Sequence, residues 1–150
     1  MENKHCHAPL SEDKIKKVFS EHGINRTKGK IKILQIISEA KRPISVQEIH
    51  TAMKASCDVS TIFRTITQFK DKNIIREVNL EEGFLRYEIN LDHHNDHHHH
   101  HVLCRLCGEI KNIEECDLQQ FEKAISKLGY KLMEHRLEFT GVCSKCYKDL

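Results

Sequence analysis

The stretch DHHNDHHHHHVLCRLC, residues 92–107, places seven histidines and two cysteines in sixteen residues. Imidazole nitrogens and thiolate sulfurs are donors that bind Zn²⁺ and other transition metals in proteins. The run is internal, with more than forty patterned residues after it, so a terminal purification tag does not explain it. Metal binding is therefore the first chemistry that this sequence indicates.

Two Cys-x2-Cys pairs, Cys104 with Cys107 and Cys143 with Cys146, are separated by 35 residues. Each pair holds two thiolates a few ångströms apart, and two such turns complete a tetrahedron around Zn²⁺. Four sulfur ligands leave no open coordination position, so we expect a structural zinc site. A redox dithiol is the alternative, but two matched pairs favour zinc. We expect the remaining cysteines to be unligated thiols: Cys6, Cys57 and Cys116.

If the end of the histidine run is a β-strand, its side chains point alternately to opposite faces. His99 and His101 would then lie on one face, and His98 and His100 on the other. One strand could thus serve two metal sites. Imidazole binds Zn²⁺, Fe²⁺, Co²⁺ and Ni²⁺, so the donor type does not select the metal. The alternative is a solvated polar tract, which the nearby Glu88 and the thiolate pairs make less attractive.

Four helices are predicted before the metal-binding stretch. Apolar residues at helical spacing predict helices over residues 11–22 and 31–40. Ser45 and Glu48 have the spacing of a capping box that begins a third helix. A fourth helix, residues 60–72, is introduced by a serine and carries its apolar residues on one face.

A β-hairpin is predicted directly after the fourth helix, with strands over residues 74–80 and 85–91 around a glycine turn. Helices followed by a hairpin are typical of a winged helix, whose second helix-turn-helix element enters the DNA major groove. That element would be the fourth helix. Residues 1–72 hold 14 Lys and Arg against 8 Asp and Glu, and this excess of positive charge favours binding to a polyanion such as DNA. The alternative is a chance fluctuation of surface charge.

The second half of the chain combines short predicted strands with one amphipathic helix over residues 116–130. Its apolar content is small, so we expect dimerisation or metal to add stability. The predicted fold class is α+β: an N-terminal winged helix-turn-helix domain, residues 1–90, followed by a small α+β dimerisation domain, residues 91–150. No apolar run is long enough to span a membrane or to act as a signal peptide, and we expect a cytoplasmic protein.

Together these motifs resemble the ferric uptake regulator family of metal-sensing bacterial repressors. STIFRTI is similar to the family's recognition-helix motif ATVYRTL. RYE followed by HHHHHVLCRLCG is similar to its hinge and metal ribbon, and GVCSKC to its closing cysteine pair. The resemblance runs from about residue 23 to residue 146. It implies a homodimer, sometimes a tetramer, that binds double-stranded operator DNA.

The resemblance implies a sensing site at the hinge between the two domains. Its ligands would be Glu88 on the second wing strand together with His99 and His101. The family commonly adds a His and an acidic residue at positions that hold Pro43 and Asn112 here. A replacement ligand could come from about four extra residues between Glu88 and the ribbon, which include His93 and His94. These extra residues could also shift the register of the ribbon and so bring His97 into a site.

A second histidine-rich site is also implied by the resemblance. The family combines a His, an Asp, a Glu and a later His, and the corresponding residues here are His98, His100, Gln119 and His135. This set is richer in nitrogen and poorer in charge than the family's, which favours zinc over iron.

For DNA binding, the resemblance points to the fourth helix and to the basic turn before the second. Arg64 matches the motif arginine and is the leading candidate for a phosphate or base contact. Phe63 replaces the family tyrosine and can touch a thymine methyl without donating a hydrogen bond. The other candidates are Ser60, Thr61, Arg26 and Lys30. For each residue the alternative is a solvated polar group or a core aromatic.

The predicted function is that of a metal-dependent repressor of metal uptake genes, with a structural Zn²⁺ and a regulatory Zn²⁺ or Fe²⁺. Metal would join Glu88 to His99 and His101 and so fix the angle between two winged helices. One alternative is a peroxide-sensing iron regulator of the same family. Another is a metal storage or chaperone protein that does not bind DNA. We expect no enzyme, because the sequence lacks HExxH and other hydrolase motifs.

Overall fold

The structure is a computed structural model that describes residues 9–54, 56–91 and 99–148. The chain divides into two compact units, Met1–His94 and Asn95–Leu150. Each unit combines helices with a three-stranded sheet, so the predicted α+β class is confirmed. Among the described residues, no helix has the length and apolar character needed to cross a membrane.

The first unit contains the four predicted helices, but two of them begin earlier than expected. They are α1 Glu12–Glu21, α2 Lys28–Glu39, α3 Val46–Ala52 and α4 Val59–Asp71. Thr27 caps α2, because its hydroxyl accepts the Lys30 N–H. Asp58 rather than Ser60 caps α4, because its carboxylate accepts the Thr61 N–H at 2.8 Å. The Ser60 hydroxyl donates to the same carboxylate, so this serine lies inside the helix.

The capping box of α3 is present as predicted. Glu48 accepts the Ser45 N–H at 2.8 Å, and the Ser45 hydroxyl accepts the Glu48 N–H at 3.2 Å. Glu48 also receives Arg42 at 2.6 Å and the buried Arg86 at 2.7 Å. Burial alone would raise the pKa of Glu48, but the Ser45 N–H and the arginines lower that pKa to about 2. The carboxylate therefore ties the start of α3 to the sheet.

The sheet of this unit has three strands, β1 Ile44–Ser45, β2 Ile75–Val78 and β3 Arg86–Ile89, in the order β1-β3-β2. The β2–β3 pair is the predicted hairpin, with Arg76 opposite Glu88. The two-residue β1 was not predicted, because so short a strand shows no periodicity. The apolar faces of the helices and hairpin share one core, whose fully buried members include Phe19, Leu34, Ile49, Ile62 and Phe69.

The second unit contains β4 His100–Cys104, β5 Ile110–Ile113, α5 Gln119–Lys127, β6 Glu138–Gly141 and α6 Ser144–Tyr147. The sheet order is β5-β4-β6, with β5 antiparallel and β6 parallel to the central β4. β4, β5 and α5 follow the prediction. The segment after residue 130, in which we expect one or two strands, gives the single strand β6, and α6 was not predicted. No residue of α5 is buried, although the helix is amphipathic.

Candidate metal centres and DNA-binding surface

Parallel strand pairing brings the two Cys-x2-Cys pairs together. Cys104, the last residue of β4, is opposite Gly141, the last residue of β6. Two residues later, the Cys143 N–H donates to Sγ of Cys104 at 3.3 Å. The Cys107 and Cys143 sulfurs are 3.8 Å apart, and all four sulfurs, including that of Cys146, lie within 4.8 Å of one another. The predicted cysteines therefore converge at one point.

The turn between the first two cysteines closes through Gly108, whose N–H donates to the Cys104 carbonyl at 2.9 Å. Gly108 has φ +70°, a left-handed conformation that glycine adopts without a steric penalty. The N–H of Cys143 lowers the pKa of Cys104 to about 6. Crowding by the Cys143 and Cys107 thiols raises the pKa of Cys146 to about 12. Four adjacent sulfurs can all ionise only with a cation among them, and Zn²⁺ meets that need.

A second cluster forms on one face of β4, around His100. Nε2 of His100 is 3.2 Å from Nε2 of His135, which is 3.2 Å from Sγ of Cys116. Cys116, which we expected to be an unligated thiol, thus stands beside two candidate ligands. Gln119 is exposed at the start of α5, and its backbone N–H donates to Asp117. His98 lies outside the described residues.

On β4 and just before it, His99 and His101 form a buried pair with ring centroids 4.9 Å apart and rings nearly perpendicular. His101 is opposite Asn112 on β5 and Glu138 on β6. Oε2 of Glu138 lies 3.6 Å from Nδ1 of His101. The buried Oδ1 of Asn112 has no hydrogen-bond partner among the residues that the structure describes. Asn112 is the position where the family resemblance puts an acidic ligand, so an oxygen donor is retained there.

The remaining candidates for the sensing site lie elsewhere. Glu88 belongs to β3 of the first unit, where it is half-buried and pairs with Arg76 at 2.5 Å. His93, His94 and His97 lie outside the described residues. Glu88 is therefore described within the first unit, and the His99–His101 pair within the second.

The outward face of α4 carries the candidate DNA contacts. Phe63 is 51% exposed, so it is not a core aromatic. Arg64 is exposed, and its hydrogen bonds within the described part of the chain are long ones, of 3.3 and 3.4 Å, to Ser60. Thr61 donates its hydroxyl to Asp58, so this side chain fixes the helix start. The face therefore presents an aromatic ring and a guanidinium that are held only weakly in the free protein.

A groove beside this face extends the basic surface towards α2. The Lys30 ammonium donates to Gln68 of α4 at 2.7 Å, which places it next to the outward face of α4. Arg64, Lys30 and Lys72 line the same groove. Arg26 is exposed in the turn before α2. Cations arranged in this way match the phosphates of a duplex whose groove receives α4.

A winged helix with an exposed basic recognition face, followed by a sheet that carries thiolate and imidazole clusters, defines a metal-dependent DNA-binding regulator. Comparison with known proteins agrees: the model of the ferric uptake regulator family matches residues 21–140. The chain belongs to this family. Its members are transcription regulators that bind DNA as dimers, and this chain is a metal-dependent transcriptional regulator.

The chain is similar to individual members along most of its length. It is 32% identical over 133 residues to the ferric uptake regulation protein of Staphylococcus aureus, a match that covers 87% of this chain and 93% of that protein. The Helicobacter pylori ferric uptake regulator shares the fold with a TM-score of 0.76 at 18% identity, covering 93% and 96% of the two chains. The Vibrio cholerae ferric uptake regulator matches with a TM-score of 0.73 at 25% identity, covering 86% of this chain and 99% of that one.

Proposed function

We propose that the chain represses metal uptake genes when metal at the His99–His101 pair selects a DNA-binding arrangement of two winged helices. The observation that carries this proposal is the burial of two adjacent imidazoles, one just before β4 and one on β4, a strand whose far end meets the cysteine centre. Each buried imidazole carries nitrogen atoms that a hydrogen-bond donor, an acceptor or a metal must satisfy, and two such rings side by side can share one metal ion. A bound cation satisfies that need.

The proposed ligand set joins both domains. His99 and His101 supply imidazole nitrogens, Asn112 supplies its amide oxygen, and Glu88 supplies a carboxylate from the wing. Glu88 pairs with Arg76 within its own unit, so metal binding would exchange that partner for the cation. His93 or His94 would complete the set. The mixture of nitrogen and oxygen donors suits Zn²⁺ and Fe²⁺ alike.

Metal can favour the DNA-binding arrangement only by binding it more tightly than the others. A ligand set divided between the wing and the dimerisation domain gives that difference, because all ligands converge in one arrangement only. The structure of the Vibrio cholerae regulator was described as revealing a rearrangement of its DNA-binding domains. A movement of the same kind in this chain would let metal control operator binding.

Dimerisation is supported by the apolar surface that the second unit leaves exposed. Phe121 in α5, Phe139 in β6, and Tyr130 and Met133 in the segment between them are each at least 44% exposed. Large apolar groups gathered on one small domain mark an interface. We infer that a second copy covers them in a homodimer, with a tetramer as a further assembly. The protein would work in the cytoplasm, where the operator lies and thiols stay reduced.

Three metal centres per chain follow from this proposal: the cysteine centre holds structural zinc, the His99–His101 site senses metal, and the His100 side of β4 forms the second site. The Helicobacter pylori structure was described as revealing three functional metal binding sites. For this chain the second site was predicted to use His98, His100, Gln119 and His135. We favour zinc as the regulatory metal because the histidine content of the ribbon is high.

The test combines metal analysis with DNA binding. Dialysed protein should keep about one zinc per chain, and it should bind a duplex selected from a random pool only after a second metal is added. Zn²⁺, Fe²⁺ and Mn²⁺ should be titrated separately at one stated salt concentration, because phosphate contacts make affinity depend steeply on salt. DNA binding of equal strength with and without added metal would overturn the proposal.

A peroxide-sensing iron regulator remains the second candidate within the family. Its chemistry would require Fe²⁺ to be held by histidine and carboxylate ligands beside an oxidisable imidazole. Glu138, 3.6 Å from His101, supplies a carboxylate near the proposed site. Loss of DNA binding by the Fe²⁺ form on brief exposure to peroxide, with the Zn²⁺ form unaffected, would favour this candidate.

A further inference from the structure

We propose that Cys116, His100 and His135 bind one soft divalent cation, Zn²⁺ in the cell, through one thiolate and two imidazoles. Sequence resemblance alone predicted a site of nitrogen and amide donors here, without sulfur. The inference rests on the proposed function in that it concerns the second metal site of the same regulator. It changes the ligands of that site and therefore its metal preference.

The geometry of the three donor atoms fits one shared ion. Two imidazole nitrogens bound tetrahedrally to one Zn²⁺ at about 2.0–2.1 Å stand about 3.3 Å apart. Here Nε2 of His100 and Nε2 of His135 are 3.2 Å apart, and Sγ of Cys116 is 3.2 Å from the second nitrogen. The three atoms lie within 4.8 Å of one another. A small movement of the sulfur allows the longer zinc–sulfur bond of about 2.3 Å.

The protonation state of His100 supports a cation more than a hydrogen-bonded chain. Nδ1 of His100 lies 3.1 Å from the Leu137 carbonyl oxygen, which can only accept, so Nδ1 carries the proton. Nε2 of the neutral ring then presents its lone pair to His135. This is the arrangement in which a backbone carbonyl orients a metal-binding histidine.

For two neutral rings, hydrogen bonds alone fit this arrangement poorly. If Nε2 of His135 carries a proton, it can donate one good hydrogen bond, either to His100 or to Cys116, or a weak bond shared between the two. If the same atom lacks a proton, its lone pair faces that of His100. A cation bound by all three atoms makes both contacts attractive at once, and it also stabilises the Cys116 thiolate.

The surroundings give the ion a route to the site. An open cleft of about 490 Å³ borders Cys116 and His135, and its lining includes Asp117, Glu122 and Glu134. Carboxylates at the mouth of a cleft raise the local concentration of cations. Three protein ligands leave one tetrahedral position for water or another side chain. A thiolate together with two imidazoles favours Zn²⁺ or Co²⁺ over Mn²⁺, which prefers oxygen donors.

Cobalt is a suitable probe, because a Co²⁺–thiolate bond gives a charge-transfer band in the near ultraviolet and a tetrahedral site gives strong visible bands. Full-length protein with zinc retained in the cysteine centre should be titrated with Co²⁺ while released zinc is measured. We expect a charge-transfer band without zinc release. Equimolar Zn²⁺ should remove the band, whereas excess Mn²⁺ should leave it.

Cys116→Ser should lose the charge-transfer band, and Cys57→Ser, a thiol of the first unit, should keep it. Circular dichroism and dimer mass should match wild type in both variants, because serine is close in size to cysteine. A band that persists in Cys116→Ser, or the absence of any band in wild type with its zinc retained, would overturn the inference. Metal-dependent DNA binding without the band refutes only this inference, whereas a band without metal-dependent DNA binding refutes only the proposed function.

Discussion

Replacing Arg64 by alanine isolates the contribution of α4 to DNA binding. Arg64 lies on the exposed face of α4, and its only intramolecular hydrogen bonds given by the structure are the long ones to Ser60. Removing an exposed side chain with such weak contacts changes the free energy of unfolding by at most about 0.5 kcal/mol. Alanine also has the highest helix propensity, so α4 stays formed. A change in DNA affinity would therefore report a lost contact with DNA.

The expected magnitude follows from the dimer. One arginine contact to a base or phosphate contributes roughly 1 to 3 kcal/mol. A homodimer on two half-sites uses Arg64 twice, so the variant should lose about 2 to 6 kcal/mol of binding free energy if the two sites are independent. The smaller figure already corresponds to an affinity about 30-fold weaker. If both contacts are to phosphate, the slope of log affinity against log salt should fall by about two.

Fluorescence anisotropy with a duplex selected by the metal-loaded wild-type protein can measure this change at two or more salt concentrations. Lys17→Ala is the matched control: it removes one positive charge from α1, where the side chain is 75% exposed and pairs with Glu21 at 3.9 Å. Zinc content and dimer mass should be unchanged in both variants. Equal affinities for Arg64→Ala and Lys17→Ala at every salt concentration would refute the assignment of α4 as the recognition helix.

Three further predictions concern metal and stability. Cys143→Ser should lose the structural zinc and the dimer by mass spectrometry and light scattering; a stable zinc-free dimer would contradict this. His99→Ala should abolish metal-activated DNA binding with one zinc retained, whereas His100→Ala should mainly change metal stoichiometry; equal losses would refute the two-face assignment. Glu48→Gln should lower the free energy of unfolding at pH 7 by about 1 to 2 kcal/mol after allowance for solvent exposure. The pKa of Glu48 is about 2 in the folded protein, against 4.5 ordinarily, so this stabilisation is complete above pH 4.5 and is lost as pH falls towards 2. In denaturation experiments, the difference in the free energy of unfolding between wild type and Glu48→Gln should therefore be smaller at pH 3 than at pH 7.

The sequence was sufficient to predict the elements whose signals are local. Helical periodicity, the capping box and the hairpin turn all depend on residues close together in the chain, and the structure contains each of them. The predicted start of α4 was wrong by one residue. Ser and Asp are both good N-cap residues, and only the folded backbone shows that Asp58 rather than Ser60 accepts the Thr61 N–H. β1 exists only through its pairing with β3, which no local pattern encodes.

The candidate metal ligands were predictable to different degrees for the same reason. Cys104 and Cys107 mark their own site, since the two-residue spacing has a metal-binding geometry. Cys116 and His135 are distant from each other and lie outside regular elements, so only tertiary packing brings them together. The signal that could have drawn attention to Cys116 is its place just before the helix that was expected to supply a ligand at Gln119.

The position of the cysteine centre at the end of β4 has a consequence for the histidines. A shift of one residue in the register of a strand moves every side chain to the opposite face. Cys104 pairs with Gly141 and is held by the Cys143 N–H, so the cysteine centre fixes β4 against β6 at its C-terminal end. This attachment determines that His101 faces Asn112 and Glu138 while His100 faces His135. In the proposed three-site arrangement, structural zinc sets which imidazoles belong to each of the other two sites, and its removal should abolish metal sensing even where the fold of the first unit persists.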